Sequence, residues 1–166
     1  MARSLSLVTL LVLAFVAGGL WSSRTDAQDA TPASTAGTMT LILVESAGTI
    51  VDQFGNDGPS AGDIRVWGPN PLFDETNTTD TGAVTLGSCI GINTNFDCLA
   101  NETIIFPDGS TLEIQGLQPG EAAPSVRTIV GGSGQYLGAT GTVAVAPSED
   151  LALWTKTIEI SGLSGQ

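Results

Sequence analysis

RTIVGGSGQYLGATGTVAV, residues 127–145, sets two strand-like runs on either side of the glycine-rich segment 131–141. Glycine at this density lets the backbone take positive φ and approach other groups closely, as a tightly coiled corner of a sheet requires. A phosphate-binding loop is the rival reading. Such a loop needs its glycines between a strand and a helix, whereas Thr142 to Val145 alternates as a strand does and Pro147 soon follows. No Gly-Lys-Ser/Thr follows the glycines either. The stretch is read as a structural corner joining two strands.

Working outward, alternation and β-branched residues mark further short runs separated by turn chemistry. They are Thr38 to Val44, Asp63 to Trp67, Ala83 to Ile90, Leu99 to Phe106, Thr111 to Leu117, Val126 to Val130, Gly141 to Ala146 and Leu151 to Ile160. Pro107-Asp108-Gly109-Ser110 lies between two of them, and Asp-Gly flanked by alternating apolar residues is a strong hairpin signal. About eight strands at this spacing predict an up-and-down barrel or a sandwich. Residue parity then assigns faces. Asp63, Arg65 and Trp67 share one face against Ile64 and Val66; Glu102 goes with Ile104 and Phe106; Glu113 and Gln115 oppose Leu112 and Ile114.

Four features in order, GPSAGDIRVW (58–67), PLFD (71–74), Gly87-Ser88-Cys89 with Cys98, and VGGSGQYLGATGTV (130–143), resemble the allene oxide cyclase-like and dirigent-like barrel superfamily, particularly its secreted bacterial members. The resemblance covers most of 38–146 and implies an all-β fold, an eight-stranded antiparallel β-barrel. It also implies a small hydrophobic ligand and a homotrimer associating through the barrel exteriors. The plant cyclases to which the fold is similar carry a glutamate at the end of the first strand, where Glu45 stands, and an asparagine two places on, where this chain has Ala47. Plant dirigent proteins end the glycine corner in Ala-Arg-Gly; here the matching residues are Ala139-Thr140-Gly141, without the arginine.

At the N-terminus, Arg3 is followed by the apolar run Leu5 to Val16 and then by small polar residues, the layout of a secretory signal peptide with a cleavage position at Ala27. The apolar run is shorter than the roughly 20 residues of a spanning helix, so stable membrane insertion is not expected after cleavage. The expected organisation is a signal peptide over 1–27, a flexible linker over 28–37 and one barrel domain over 38–166, in a secreted or extracytoplasmic protein.

The chain carries Lys+Arg 5 against Asp+Glu 17 and no histidine. Such acidity argues against nucleic acid as a partner. Lack of histidine excludes a Ser-His-Asp triad, a Cys-His dyad and a histidine-ligated zinc site, and the sequence points to no cofactor or metal. The stretch DQFGNDG (52–58) lacks the alternating acids and terminal glutamate of a calcium loop and reads as a solvated turn. Cys89 and Cys98 are an even pair in an exported chain, at the end of one strand run and the start of the next, and are expected to be joined.

Candidate chemistry falls to carboxylates, arginine and the lone tyrosine. Asp63 and Arg65, two apart on one strand, form either an ion pair that polarises a substrate or a structural bridge on the strand face. Tyr136 either donates to a ligand oxygen at the barrel mouth or covers bare glycine backbone. Glu45 is a proton-acceptor candidate if it faces an apolar lumen, and otherwise one more surface acid. Two function classes fit: a cyclase or isomerase that steers a hydrophobic substrate inside the barrel, and a non-catalytic small-molecule binder or structural barrel. A lumen lined by Asp63, Arg65 or Tyr136 favours the first; a lumen packed shut favours the second.

Overall fold

A computed structural model describes residues 38–48, 50–53, 55, 58–120 and 123–163. The expected signal peptide (1–27) and the expected linker (28–37) lie outside these residues. The described strands are β1 (Met39–Ser46), β2 (Ile50–Gln53), β3 (Ile64–Phe73), β4 (Asp80–Gly91), β5 (Cys98–Ile105), β6 (Thr111–Gln118), β7 (Ser125–Ser133), β8 (Thr140–Pro147) and β9 (Leu153–Ser161). Every pairing is antiparallel, in the order β1-β9-β8-β7-β6-β5-β4-β3, and β1 returns to β3 at Val44↔Phe73 and Glu45↔Leu72 to close an eight-stranded barrel. Closure removes the unpaired edges that an open sheet would present.

The ninth strand, β2, explains how the wall opens. It pairs with β3 from Ile50↔Trp67 to Gln53↔Ile64, along the same edge that β1 occupies further down. β1 and β2 thus lie along one edge with a break at Ala47 and Gly48, where the Ala47 amide carries the β1–β9 ladder one residue further by donating to Ala152 O (2.9 Å). Opposite the break, β3 itself is irregular: its register against β4 shifts between Trp67 and Asn70, across the cis Gly68-Pro69 bond. A strand break facing a bulge thins the wall at one level of the barrel.

The two expected turns form as their sequences direct. At Pro107-Asp108-Gly109-Ser110, Phe106 N donates to Ser110 O (2.9 Å) and Gly109 takes φ +83°, a left-handed conformation that glycine adopts without a Cβ clash. The corner between β7 and β8 makes one 3-10 turn, Gly134–Tyr136. At Gly141 (φ +142°) a Cβ would lie 1.9 Å from Glu159 O, so the close approach of β9 requires glycine there.

Inside, strand parity sorts residues into two levels. One end of the lumen is a packed apolar plug containing Leu43, Leu72, Ile104, Leu112, Ile114, Ile129, Val143, Ile158 and Ile160, closed by Tyr136. The next inward position along several of the same strands is polar: Glu45 after Leu43, Asn70 before Leu72, Glu102 before Ile104, Arg127 before Ile129 and Lys156 before Ile158. The assigned faces hold, with Ile64 and Val66 exposed outside and Glu102, Leu112 and Ile114 buried inside.

Candidate functional site: a charged layer beneath a half-open cavity

The polar level is a single network of buried charges. Lys156 Nζ, from β9, donates to Glu45 Oε2 on β1 (2.8 Å) and to Glu102 Oε1 on β5. Glu102 accepts from Thr85 Oγ1 at Oε1 (2.7 Å) and from Arg127 NH1 at Oε2 (2.6 Å), while Arg127 NH2 donates to Gln118 Oε1. Asn70 Nδ2 donates to Glu45 Oε1 (2.6 Å). Two carboxylates and two cations thus sum to zero charge. Burial of this kind is tolerated because each ion is paired and hydrogen-bonded; an isolated one would be heavily penalised.

The same pairing fixes protonation. Burial pushes the Glu102 carboxyl up, but Lys156 and Arg127 more than offset it and hold Glu102 below the ordinary carboxylate range. Burial pushes Lys156 down, and Glu102 and Glu45 more than offset it, holding the ammonium above its ordinary value. Glu102 and Lys156 are therefore both charged throughout the neutral range. The network works as an arrangement of fixed charges and dipoles, with both Glu45 oxygens already accepting. Two of its atoms, Asn70 Oδ1 and Arg127 Nε, are buried with no hydrogen-bond partner among the described residues.

Above this layer lies a cavity of about 70 Å3, floored by Glu45, Asn70, Glu102, Gln118, Arg127 and Lys156. Its walls are Ala47 and Ile50 at the strand break, Trp67 and Trp154, Arg65 and Cys89. A water needs only about 10 to 15 Å3 of such space, so several waters or the head of a ligand fit there. Ile50 is 47% exposed, which marks the open side. The Trp67 ring is seated over Gly87, where a Cβ would come within 2.4 Å of the indole.

Arg65 stands at this mouth, held from two sides. Its Nε and NH2 bond Asp52 Oδ1 and Oδ2 on β2 (2.5 and 3.0 Å), and its guanidinium carbon lies 4.6 Å from the Phe96 ring centroid. Phe96 is buried at φ +58° in the loop that the Cys89–Cys98 disulfide closes. The expected disulfide thus forms between diagonal positions of the β4–β5 ladder, with a Cα–Cα distance of 5.5 Å, inside the range that a disulfide spans.

Of the residues singled out in the sequence, Glu45 and Arg65 line the cavity. The expected pairing of Arg65 with Asp63 is corrected. Asp63 lies in the turn before β3 and accepts from Ser60 N (2.7 Å) and Ser60 Oγ, while Arg65 faces Asp52 across the β2–β3 ladder. A directly opposed residue is closer than one two places along the same strand. Tyr136 is likewise displaced from the mouth. It sits in the apolar plug, 4.6 Å from the Phe106 ring, its hydroxyl raised above its ordinary pKa by burial and by Asp108. Glu102, Arg127, Lys156 and Asn70 were not singled out as site residues, although a usable signal existed. Arg127 and Lys156 are two of three cations after Arg24, and each alternates in phase with isoleucines.

No family model matches this chain, and no curated protein matches it in sequence. Solved structures do. A pyocyanin demethylase superposes with a TM-score of 0.64 at 20% identity, over 74% of this chain and 100% of its own. A pterocarpan synthase dirigent protein gives 0.64 at 19% identity, over 78% and 91%. A Diels-Alderase from Streptomyces koyangensis gives 0.63 at 18% identity, over 78% and 70%. At these identities the likeness establishes the fold: this chain has the barrel that dirigent proteins share with these enzymes, as the sequence resemblance implied.

Proposed function

We propose that this chain is an exported barrel protein that binds a small, mostly apolar molecule at the broken end of the barrel. By holding that molecule in one conformation against the charged layer, it steers a cyclisation or isomerisation. The observation that carries this reading is the cavity itself, apolar and aromatic at its wall and charged at its floor. A few convergent polar groups in an otherwise apolar pocket orient a ligand without needing to bond all of it. Holding reactive atoms in place lowers a barrier without a covalent step. The solved neighbours support small-molecule chemistry in general; their printed names cover a demethylase, a pterocarpan synthase and a Diels-Alderase, so no single reaction transfers. The disulfide supports export, because thiols oxidise outside the cytosol.

A non-catalytic binder is the second reading, favoured by the engagement of both Glu45 oxygens within the network, Oε1 with Asn70 and Oε2 with Lys156. Mass spectrometry of solvent extracts from the purified protein is expected to recover a lipophilic compound, and Ala47→Phe, which fills the cavity lip, is expected to remove it while the circular dichroism spectrum is retained. Recovery of nothing from the unmodified protein would count against binding. Incubating the recovered compound's precursor class with the protein separates the two readings, since a binder returns it unchanged. Cell fractionation tests export.

A further inference from the structure

The cations of this chain are distributed in a way that goes beyond a generic apolar pocket. From Gln28 onward the sequence holds Arg65, Arg127 and Lys156 as its basic residues, against sixteen acids. All three line the one cavity, and each is paired with a carboxylate: Arg65 with Asp52, Arg127 with Glu102, and Lys156 with Glu45 and Glu102. The three cations and those three acids cancel. Sixteen acids less those three leave thirteen elsewhere on the segment with no basic residue to balance them.

We propose that the cavity selects ligands by charge, admitting uncharged lipophiles and excluding those that carry a carboxylate, sulfonate or phosphate. This rests on the binding reading above and names the ligand class for the same site. An anionic ligand approaches through the field of the unbalanced acids, which lowers its local concentration. On arrival it meets cations that already hold carboxylates, so bonding one of them means uncovering a buried Glu45 or Glu102. An uncharged hydroxyl or carbonyl meets neither obstacle. Asn70 and Arg127, which line the cavity, each keep one buried polar atom, Oδ1 and Nε, without a partner among the described residues.

Two fluorescent probes that differ by one charged group test the idea: neutral N-phenyl-naphthylamine and its sulfonate, anilinonaphthalene sulfonate. Trp67 and Trp154 are the tryptophans of the segment after Gln28 and both line the cavity, so energy transfer from indole to probe that Ala47→Phe abolishes reports binding at this site. At low ionic strength the neutral probe is expected to bind at least about tenfold more tightly than the sulfonate, and added salt is expected to narrow that ratio. Asp52→Asn adds one unit of positive charge at the partly exposed mouth without disturbing the buried layer, and should strengthen sulfonate binding while leaving the neutral probe nearly unchanged. Equal affinity for the two probes, or an unchanged ratio in Asp52→Asn, overturns charge selection while leaving the binding reading standing. No energy transfer to either probe overturns both.

Discussion

Lys156 joins two carboxylates in the lumen, so its removal should be felt as an uncompensated buried charge more than as a lost contact. Lys156→Met is expected to destabilise the barrel by about 3 to 5 kcal/mol in a denaturant titration, and adding Glu102→Gln should recover part of that loss. Arg65→Met should cost less than about 1 kcal/mol, because its bridge to Asp52 is roughly one-third exposed and screened by water. A loss several times larger would place Arg65 in the buried network. The pH dependence follows from the two shifted groups. Glu102 is held below its ordinary 4.5, so its contribution is present above that value and fades as pH falls through the lower folded value. Lys156 is held above its ordinary 10.5, so its contribution is present below that value and fades as pH rises through the higher folded one. Stability measured by urea midpoint is therefore expected to be level from about pH 5 to pH 10 as far as this layer is concerned.

Between Cys89 on β4 and Cys98 on β5 the disulfide closes the loop that presents Phe96 to Arg65. The double variant Cys89→Ser, Cys98→Ser should lose about 2 to 3 kcal/mol, and the unreduced native protein should not react with a thiol label. Stoichiometric labelling at both positions would sink the assignment. The eight strands that close the barrel were legible because each alternates or is β-branched over several residues, and Pro107 to Ser110 and the glycine corner punctuate them. β2 was not, since Ile50–Gln53 is four residues long and exposed throughout, so burial imposes no pattern on it. The break at Ala47 and Gly48 and the bulge at Gly68-Pro69, which together open the wall, were missed for the same reason. They depend on which strands meet in space. Parity placed Glu102 and Ile104 on one face from sequence alone, but it could not show that Glu45, Arg127 and Lys156 reach the same level from three other strands. That level is set by the stagger of the closed barrel, a long-range property.

On the outside of the whole barrel, the ladder registers align four apolar side chains in one row: Ile64 opposite Ile90, Ile90 opposite Leu99, and Leu99 opposite Leu117. Their exposures are 39, 50, 55 and 46%, on a chain whose charge is otherwise strongly acidic. A contiguous apolar row across β3, β4, β5 and β6 is the kind of surface that a soluble protein covers by association. Self-association of so acidic a chain must overcome its own repulsion, and the outer faces of these strands supply apolar area with which to do so. We propose that self-association covers this row, as the homotrimer that the sequence resemblance implies. Light scattering on the purified protein should give a trimer mass that is more persistent at high salt, where like charges are screened and apolar burial is unaffected. Ile90→Lys with Leu99→Lys should yield a monomer with an unchanged far-ultraviolet spectrum, because both side chains point away from the lumen. A monomer at high concentration in the unmodified protein would refute trimerisation while leaving the cavity and its charged floor as they are, since the residues named in that site come from one chain.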